Sequence, residues 1–383
     1  MAAVATLSQA ETYDKHPHER IDEKKQKVAQ DEVYVPVNEK GMMERVHFKG
    51  DLRLRYESIV RDDKENKYRN RYRLRLGLTY DLTEKLHFEV GMRSGFANPT
   101  SGNQTFYDDR PLGDYFFQSL RFNVLGFSYK DGNSVLKIGR QPYMMYRPIK
   151  SQLVWDNDVS MNGVNYQYKD NTSIITLGIN QPTLEEKAVA EKTVNLFLAQ
   201  YVHKTKMDFT ELNLGAGIYY YDGLKGNTTL FGSRKGNTTY SANKRYVNNY
   251  HLVEGFAELQ FGDIWGMPLK AAAGVVYNFG ANDNNFGYDL AFKLGKARKT
   301  GDWQVKYSYT NLQEDATLGA YSDSDNFGGG TGAKGHAIRA KYKAGKNLYL
   351  AGSFFFDTLY ASKSHTGEEA DYERVQLDMI YKF

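Results

Sequence analysis

The chain has 383 residues, no cysteine and a formal net charge of +4, which excludes disulfides, thiolate metal sites and cysteine nucleophiles and gives no argument for nucleic acid as a partner. With 41% hydrophobic residues it is not globally disordered. Its mean hydropathy is −0.63 and no apolar run is long enough to cross a bilayer as a helix, but a barrel strand alternates apolar and polar residues and looks soluble on average.

Residues 1–43 read as a periplasmic arm, a short helix or disordered. From Glu19 to Glu32 the segment is charged, with Ile21 and Val28 too thin a stripe for a buried helix. Ala3-Val4-Ala5 is similar to the small-residue end of an export signal, or is an unrelated remnant. His16-Pro17-His18 offers two nitrogens where a structural zinc site wants four ligands, so no metal is expected.

From residue 44 to 383 the pattern changes to alternation at period two. The first strand runs from Val46 to Glu57, with Val46, Phe48, Leu52, Leu54 and Tyr56 on one face. Lys49, Asp51, Arg53, Arg55 and Glu57 lie on the other. After a charged loop, Arg61 to Lys67, the second strand sets Tyr72, Leu74, Leu76, Leu78 and Tyr80 against Arg71, Arg73, Arg75 and Thr79. A turn at Thr83-Glu84 leads to the third, with Leu86, Phe88, Val90 and Met92 against His87, Glu89 and Arg93. A long loop, Ala97 to Gly113, precedes a fourth strand within Phe116 to Tyr129, whose phase slips near Leu125-Gly126. Asp131-Gly132-Asn133 is a hairpin turn into the fifth. The stretch from Gln141 to Ser160 is long and contains Pro142, Pro148, Trp155, Asp156 and Asp158. A sixth and a seventh strand meet at Asp170-Asn171, and the eighth falls within Thr193 to Val202.

The ninth carries Leu212 to Tyr220, and a polar loop, Gly223 to Tyr246, repeats Gly-Asn-Thr-Thr at Gly226 and Gly236. Strands ten to thirteen follow, then a Gly-rich loop around Gly328-Gly329-Gly330, then two more. The last, Tyr372 to Phe383, alternates Val375, Leu377, Met379, Tyr381 and Phe383 with Arg374, Gln376, Asp378 and Lys382. Ile380 is the exception. A strand in lipid needs a neighbour on both edges, so the first and last strands are expected to pair and close the sheet. Short turns and long loops at alternating ends, with about sixteen strands (fourteen or eighteen being the alternatives), specify an all-β fold. It is a transmembrane antiparallel up-and-down β-barrel of the size whose lumen holds an aqueous channel. The expected place is the outer membrane of a diderm bacterium, with both termini periplasmic.

Gly50-Asp51-Leu52-Arg53-Leu54-Arg55-Tyr56-Glu57, the Arg71 to Leu78 strand, Asn98-Pro99, Asn103-Gln104-Thr105, and Trp155-Asp156-Asn157-Asp158 before Gly163-Val164 resemble a bacterial family of outer-membrane porins. They are similar also to the OmpM-type major porins of some diderm Firmicutes. The resemblance covers essentially everything after residue 45. It implies a water-filled diffusion pore, a homotrimer, and a constriction loop after the fifth strand. That places Tyr146, Arg147, Trp155, Asp156 and Asp158 in the constriction, and the length of Gln141–Ser160 fits the role by itself. Tyr381 and Phe383 resemble the terminal signal read by the barrel-assembly machinery. The peptidoglycan-binding module and coiled coil of OmpM-type porins are not recognised here, so a peptidoglycan tether is not expected. Outer-membrane lipid or lipopolysaccharide is the expected surrounding.

Arg53, Arg55, Arg71, Arg73, Arg75 and Arg93, on the wet faces of three consecutive strands, would form a basic pore-lining wall. Asp156 and Asp158 could face it across a narrow water column, and the transverse field would orient polar solutes. Basic residues outnumber acids there, which favours weak anion preference. The plainer reading is that these arginines pair with Asp51, Glu57 and Glu89 and stiffen the wall. A saccharide or carboxylate channel is the runner-up, with Tyr219, Phe256, Tyr349 and Phe355 as scattered wet-face aromatics. A structural or adhesive anchor without an open pore is a third class. No Ser/His/Asp grouping, HExxH, P-loop or Gly-x-Ser-x-Gly is found, so neither an enzyme nor a cofactor is expected.

Overall fold

Alternation decides the architecture, because every second side chain needs lipid and every other one needs water or a polar partner. The computed structural model describes residues 41–95, 98–106, 119–182, 193–207, 210–240 and 244–383. The expected arm, including His16-Pro17-His18, lies outside the described residues up to residue 40. The described residues form sixteen long strands. The first eight are β1 (Val46–Arg61), β2 (Lys67–Asp81), β3 (Leu86–Arg93), β4 (Arg121–Asp131), β5 (Ser134–Pro142), β6 (Ser160–Lys169), β7 (Ser173–Gln181) and β8 (Asn195–Met207). The second eight are β9 (Thr210–Asp222), β10 (Tyr250–Ile264), β11 (Met267–Asn278), β12 (Phe286–Gly295), β13 (Trp303–Leu312), β14 (Ala333–Lys343), β15 (Leu348–Leu359) and β16 (Ala370–Lys382).

Each long strand pairs antiparallel with its sequence neighbours, and β1 pairs with β16 from Asp51↔Lys382 to Arg61↔Tyr372. Phe383 completes the seam by exchanging two backbone hydrogen bonds with Gly50, at 2.8 and 3.1 Å. The sheet therefore has no free edge, as the first and last strands foretold. Leu54, Tyr56, Leu377 and Met379 stand exposed on the outer wall, while Asp51, Arg55, Glu57 and Arg374, one residue out of phase with them, are buried within. Trp265, 85% exposed, caps a tight turn with Gly266; both have positive φ, the pair of conformations a two-residue hairpin requires.

Three boundaries differ from the sequence expectation. β1 continues past Glu57 to Arg61, because Ser58–Arg61 find ladder partners in Tyr372–Val375 of β16. The irregularity in β4 falls at Asn123, where Gly91 faces Val124 and Met92 faces Phe122, and not at Leu125-Gly126. Within the long loop after β3, Gln104–Thr105 adds a short strand onto Tyr72 and Arg71 of β2.

Candidate functional site

The barrel has a long-loop end and a short-turn end, and described residues of three long loops lie inside it. The loop after β5, residues 143–159, crosses the lumen. The Ile149 N–H donates to Glu258 Oε2 of β10 at 2.7 Å, Ser151 Oγ donates to Asp289 Oδ2 of β12 at 2.5 Å, and Lys306 Nζ of β13 reaches Ile149 O at 3.2 Å. Its tip turns because Ile149 and Lys150 adopt positive φ after Pro148. Trp155 is buried against Tyr219, edge-on at 5.2 Å, and Tyr321, at 5.8 Å. Tyr146 exchanges hydrogen bonds with Gln200 and stacks on Phe256. Arg147 braces the loop's own backbone at Ser151 O and Trp155 O, each at 2.9 Å.

The described residues of the loops 223–249 and 313–332 fold over it, and Leu224, Leu230, Tyr246, Leu318, Tyr321 and Phe327 join Trp155 in one buried apolar cluster inside the barrel. The Gly-Asn-Thr-Thr repeat finds its reason here. Gly236 has φ 88° and lies so close to Thr331 O that a Cβ would sit 2.2 Å from it. Asn237, fully buried, then donates to Glu314 O and Thr317 O and accepts from the Gly319 N–H, clasping the two loops together.

The six arginines form a ladder on β1–β3, and nearly every rung is occupied. Arg55 makes a bidentate pair with Asp378 at 2.6 and 2.8 Å. Arg73 and Arg75 share Asp51, at 2.7 and 2.6 Å. Arg71 lies 3.5 Å from Glu57, which also takes Arg69 and Arg374. Arg53 binds Asn103 and lies 3.8 Å from Asp378. Arg93 donates to Pro99 O and Asp158 O, at 3.2 and 3.3 Å. Asp51 and Glu57 thus take arginines, whereas Glu89 accepts from Ser128 Oγ.

The two loop aspartates part company. Asp158 faces the ladder, 3.0 Å from Arg75; burial pushes its carboxyl up, but Arg73, Arg75, Arg93 and Arg53 outweigh this and hold it below the ordinary range. Asp156 accepts backbone N–H groups from Asp158 and Ser324 instead, and burial, then the charges of Asp158 and Asp323, push it well up. Asp156 therefore stands off the ladder, because the loop uses it as an internal strut. A further counter-ion, Asp325 from the loop 313–332, meets Arg55 at 3.4 Å and Arg374 at 3.1 Å. The Ser322-Asp323-Ser324-Asp325 run beside the glycines was its only signal in the sequence.

The short-turn half is arranged differently. Lys341, Lys382 and Lys343 surround the Tyr349 ring at 4.4, 5.0 and 5.3 Å. Lys150 at the inward loop's tip lies within electrostatic reach of Lys382, and Lys293 of β12 within reach of Lys150. Lys150, Lys293, Lys341 and Lys382 have no carboxylate in ion-pair distance among the described residues; Lys270 does, at Glu258, 2.6 Å. Alternation put Lys293, Lys341 and Lys382 on wet faces, but only the register of the closed sheet brings β14 and β16 around the Tyr349 ring. The wet-face aromatics form no continuous line. Tyr219 is buried and donates to Glu254 at 2.6 Å, and Phe256 and Phe355 are buried beneath Tyr146 and Arg339.

Comparison with known proteins agrees with the fold. A family described as "Putative porin" matches residues 59–251 and 267–383. No curated protein matches the sequence. The structure is similar to OprB of Pseudomonas putida, solved at high pH, with TM-score 0.59 and 13% identity over 89% of this chain and 95% of that one. It is similar also to OmpF of Salmonella typhi in complex with daunomycin, with TM-score 0.55 and 11% identity over 88% and 97% of the two chains.

Proposed function

This chain belongs to the putative porin family, a family of outer-membrane channels and not of enzymes, and from that premise we propose that it is a passive diffusion pore for small hydrophilic solutes with a preference for anions. The carrying observation is the lysine group around Tyr349. A charge whose counter-ion sits in hydrogen-bond contact contributes little field to a solute, whereas an unpaired ammonium in a narrow, partly low-dielectric lumen contributes several kT. The arginine ladder is largely neutralised, and Arg75, the most exposed of the six, is the rung left most open to solvent. The loop 143–159 acts as the constriction, because it reaches β10, β12 and β13 from β5. The barrel sits with its short turns and both ends of the chain on the periplasmic side, assembles as a homotrimer, and meets lipid or lipopolysaccharide through its apolar outer wall. Tyr381 and Phe383 serve insertion by the assembly machinery.

Reversal potentials in a potassium chloride gradient test the preference. Wild type is expected to pass chloride over potassium, and Lys341→Glu with Lys382→Glu to move the reversal potential toward cations. Cation preference in the wild type would overturn the reading.

A further inference from the structure

At the long-loop end a polar cavity of about 220 Å³ opens over the ladder. It holds the volume of roughly seven waters. Its cations come from five elements: Arg61 at the end of β1, Lys64 on the following loop, Lys67, Arg69 and Arg71 on β2, Lys235 on the loop 223–249, and Arg374 on β16. No carboxylate lines it among the described residues. Glu57, Asp63 and Asp325 engage the four arginines from outside the lining. Lys64, Lys67 and Lys235 are left with no hydrogen-bond or ion-pair partner for their ammonium groups among the described residues. Asn98, Ser101 and Ser324 add neutral polar groups to the same wall.

We propose that this cavity is a binding site for phosphate-type oxyanions at the outer mouth of the channel. Three free ammonium groups and the edges of four guanidinium groups converge on a space that fits one oxyanion with part of its water. Several donors around one compact, multiply charged acceptor is the arrangement that selects phosphate over chloride, since each oxygen accepts separate charge-assisted hydrogen bonds. Lys363, half-buried on the loop 360–369, donates to Gly329 O at 2.9 Å. Burial pushes it down to about 7 against the pull of Asp357, and Lys235, Arg61 and Arg234 add to the fall. The site deepens the anion-channel reading on which it rests, but its test reads binding and not current.

Isothermal titration of the detergent-solubilised full chain with inorganic phosphate is expected to give a saturable signal that chloride at equal ionic strength does not reproduce. Lys64→Ala with Lys67→Ala and Lys235→Ala should weaken it by about tenfold or more. The matching Lys→Arg triple should retain it, which separates loss of charge from loss of fold. Absence of saturable binding in the wild type, or undiminished binding in the alanine triple, would overturn the proposal. A diphosphorylated glycolipid in mixed micelles distinguishes membrane-borne from free phosphate. Its displacement of inorganic phosphate in the wild type, absent in the alanine triple, supports the site and assigns it a lipid source. Conductance of the same preparations reads the channel separately, so a pore that conducts without binding phosphate, or binds without conducting, sinks only one of the two readings.

Discussion

The two halves of the lumen are built from the same residue types and use them in opposite ways. In the long-loop half, Arg55, Arg73 and Arg374 are at most 7% exposed, and each has a carboxylate in contact. In the short-turn half, Lys341 and Lys382 share the face of Tyr349 with Lys343 and have no carboxylate in ion-pair distance among the described residues. The difference is one of desolvation. A guanidinium taken from water beneath inward loops must be paired, or it costs several kcal/mol, so loops and wall form a charge-matched unit. An ammonium left beside open water has no such need, and its charge remains available to a passing ion. Counting wall cations therefore says little about selectivity until each has been asked where its counter-ion lies.

The comparison breaks most sharply at Glu57. Its side chain is fully buried and accepts from Arg69, Arg374 and Gln376. Glu57→Ala strands these donors and is expected to cost about 3–5 kcal/mol. The measurement is the temperature at which the folded barrel loses its compact gel mobility; an unchanged transition would show that the ladder does not hold the wall. Trp155→Ala comes next. It removes the ring on which Tyr219 and Tyr321 pack, at a cost of about 3 kcal/mol in the loop cluster. Because the loop and not the sheet is loosened, single-channel recordings should show noisier and larger conductance while the barrel stays folded.

Reversing Lys341 and Lys382 sharpens the other side. The expected change in stability is within about 0.5 kcal/mol, since neither lysine has a bonded partner to lose. The selectivity change should be large, and Arg53→Gln should do the reverse. If both variants moved selectivity equally, paired and unpaired charges would not differ as argued. The same contrast explains what could be read from the chain beforehand. Period-two alternation and turn chemistry are local, so sixteen strands, the β1–β16 seam and the wet faces of Arg53 to Arg75 were all visible in order. Asp51 and Glu57 were legible as arginine partners, but Asp378 and Asp325 were not. Asp325 lies 270 residues from Arg55 and reaches it only because the loop 313–332 turns inward. Lys150 comes within electrostatic reach of Lys382 because its own loop reaches the opposite wall, which no periodicity encodes.

The smallest effect concerns Asp63, which clips the β1–β2 loop to the rim. Arg61 grips it with two bonds of 2.7 Å and the His365 N–H adds a third at 2.8 Å. The hydrogen bonds from Arg61 come first in holding its carboxyl down to about 2, burial works against them, and the His365 N–H adds to the fall. A depressed folded value means that the clip contributes fully above the unfolded carboxyl value of about 3.9 and fades as the pH falls through about 2. Between pH 7 and pH 5 the rim should therefore show no change, and below pH 4 proteolytic nicking near residues 62–66 should rise. Asp63→Asn keeps the shape and removes the charge, so it should be nicked at the same rate at pH 7 as near pH 2. Acid sensitivity that survives Asp63→Asn would place the titrating group elsewhere on the rim, and Arg61 would then have to be held by something other than this carboxylate.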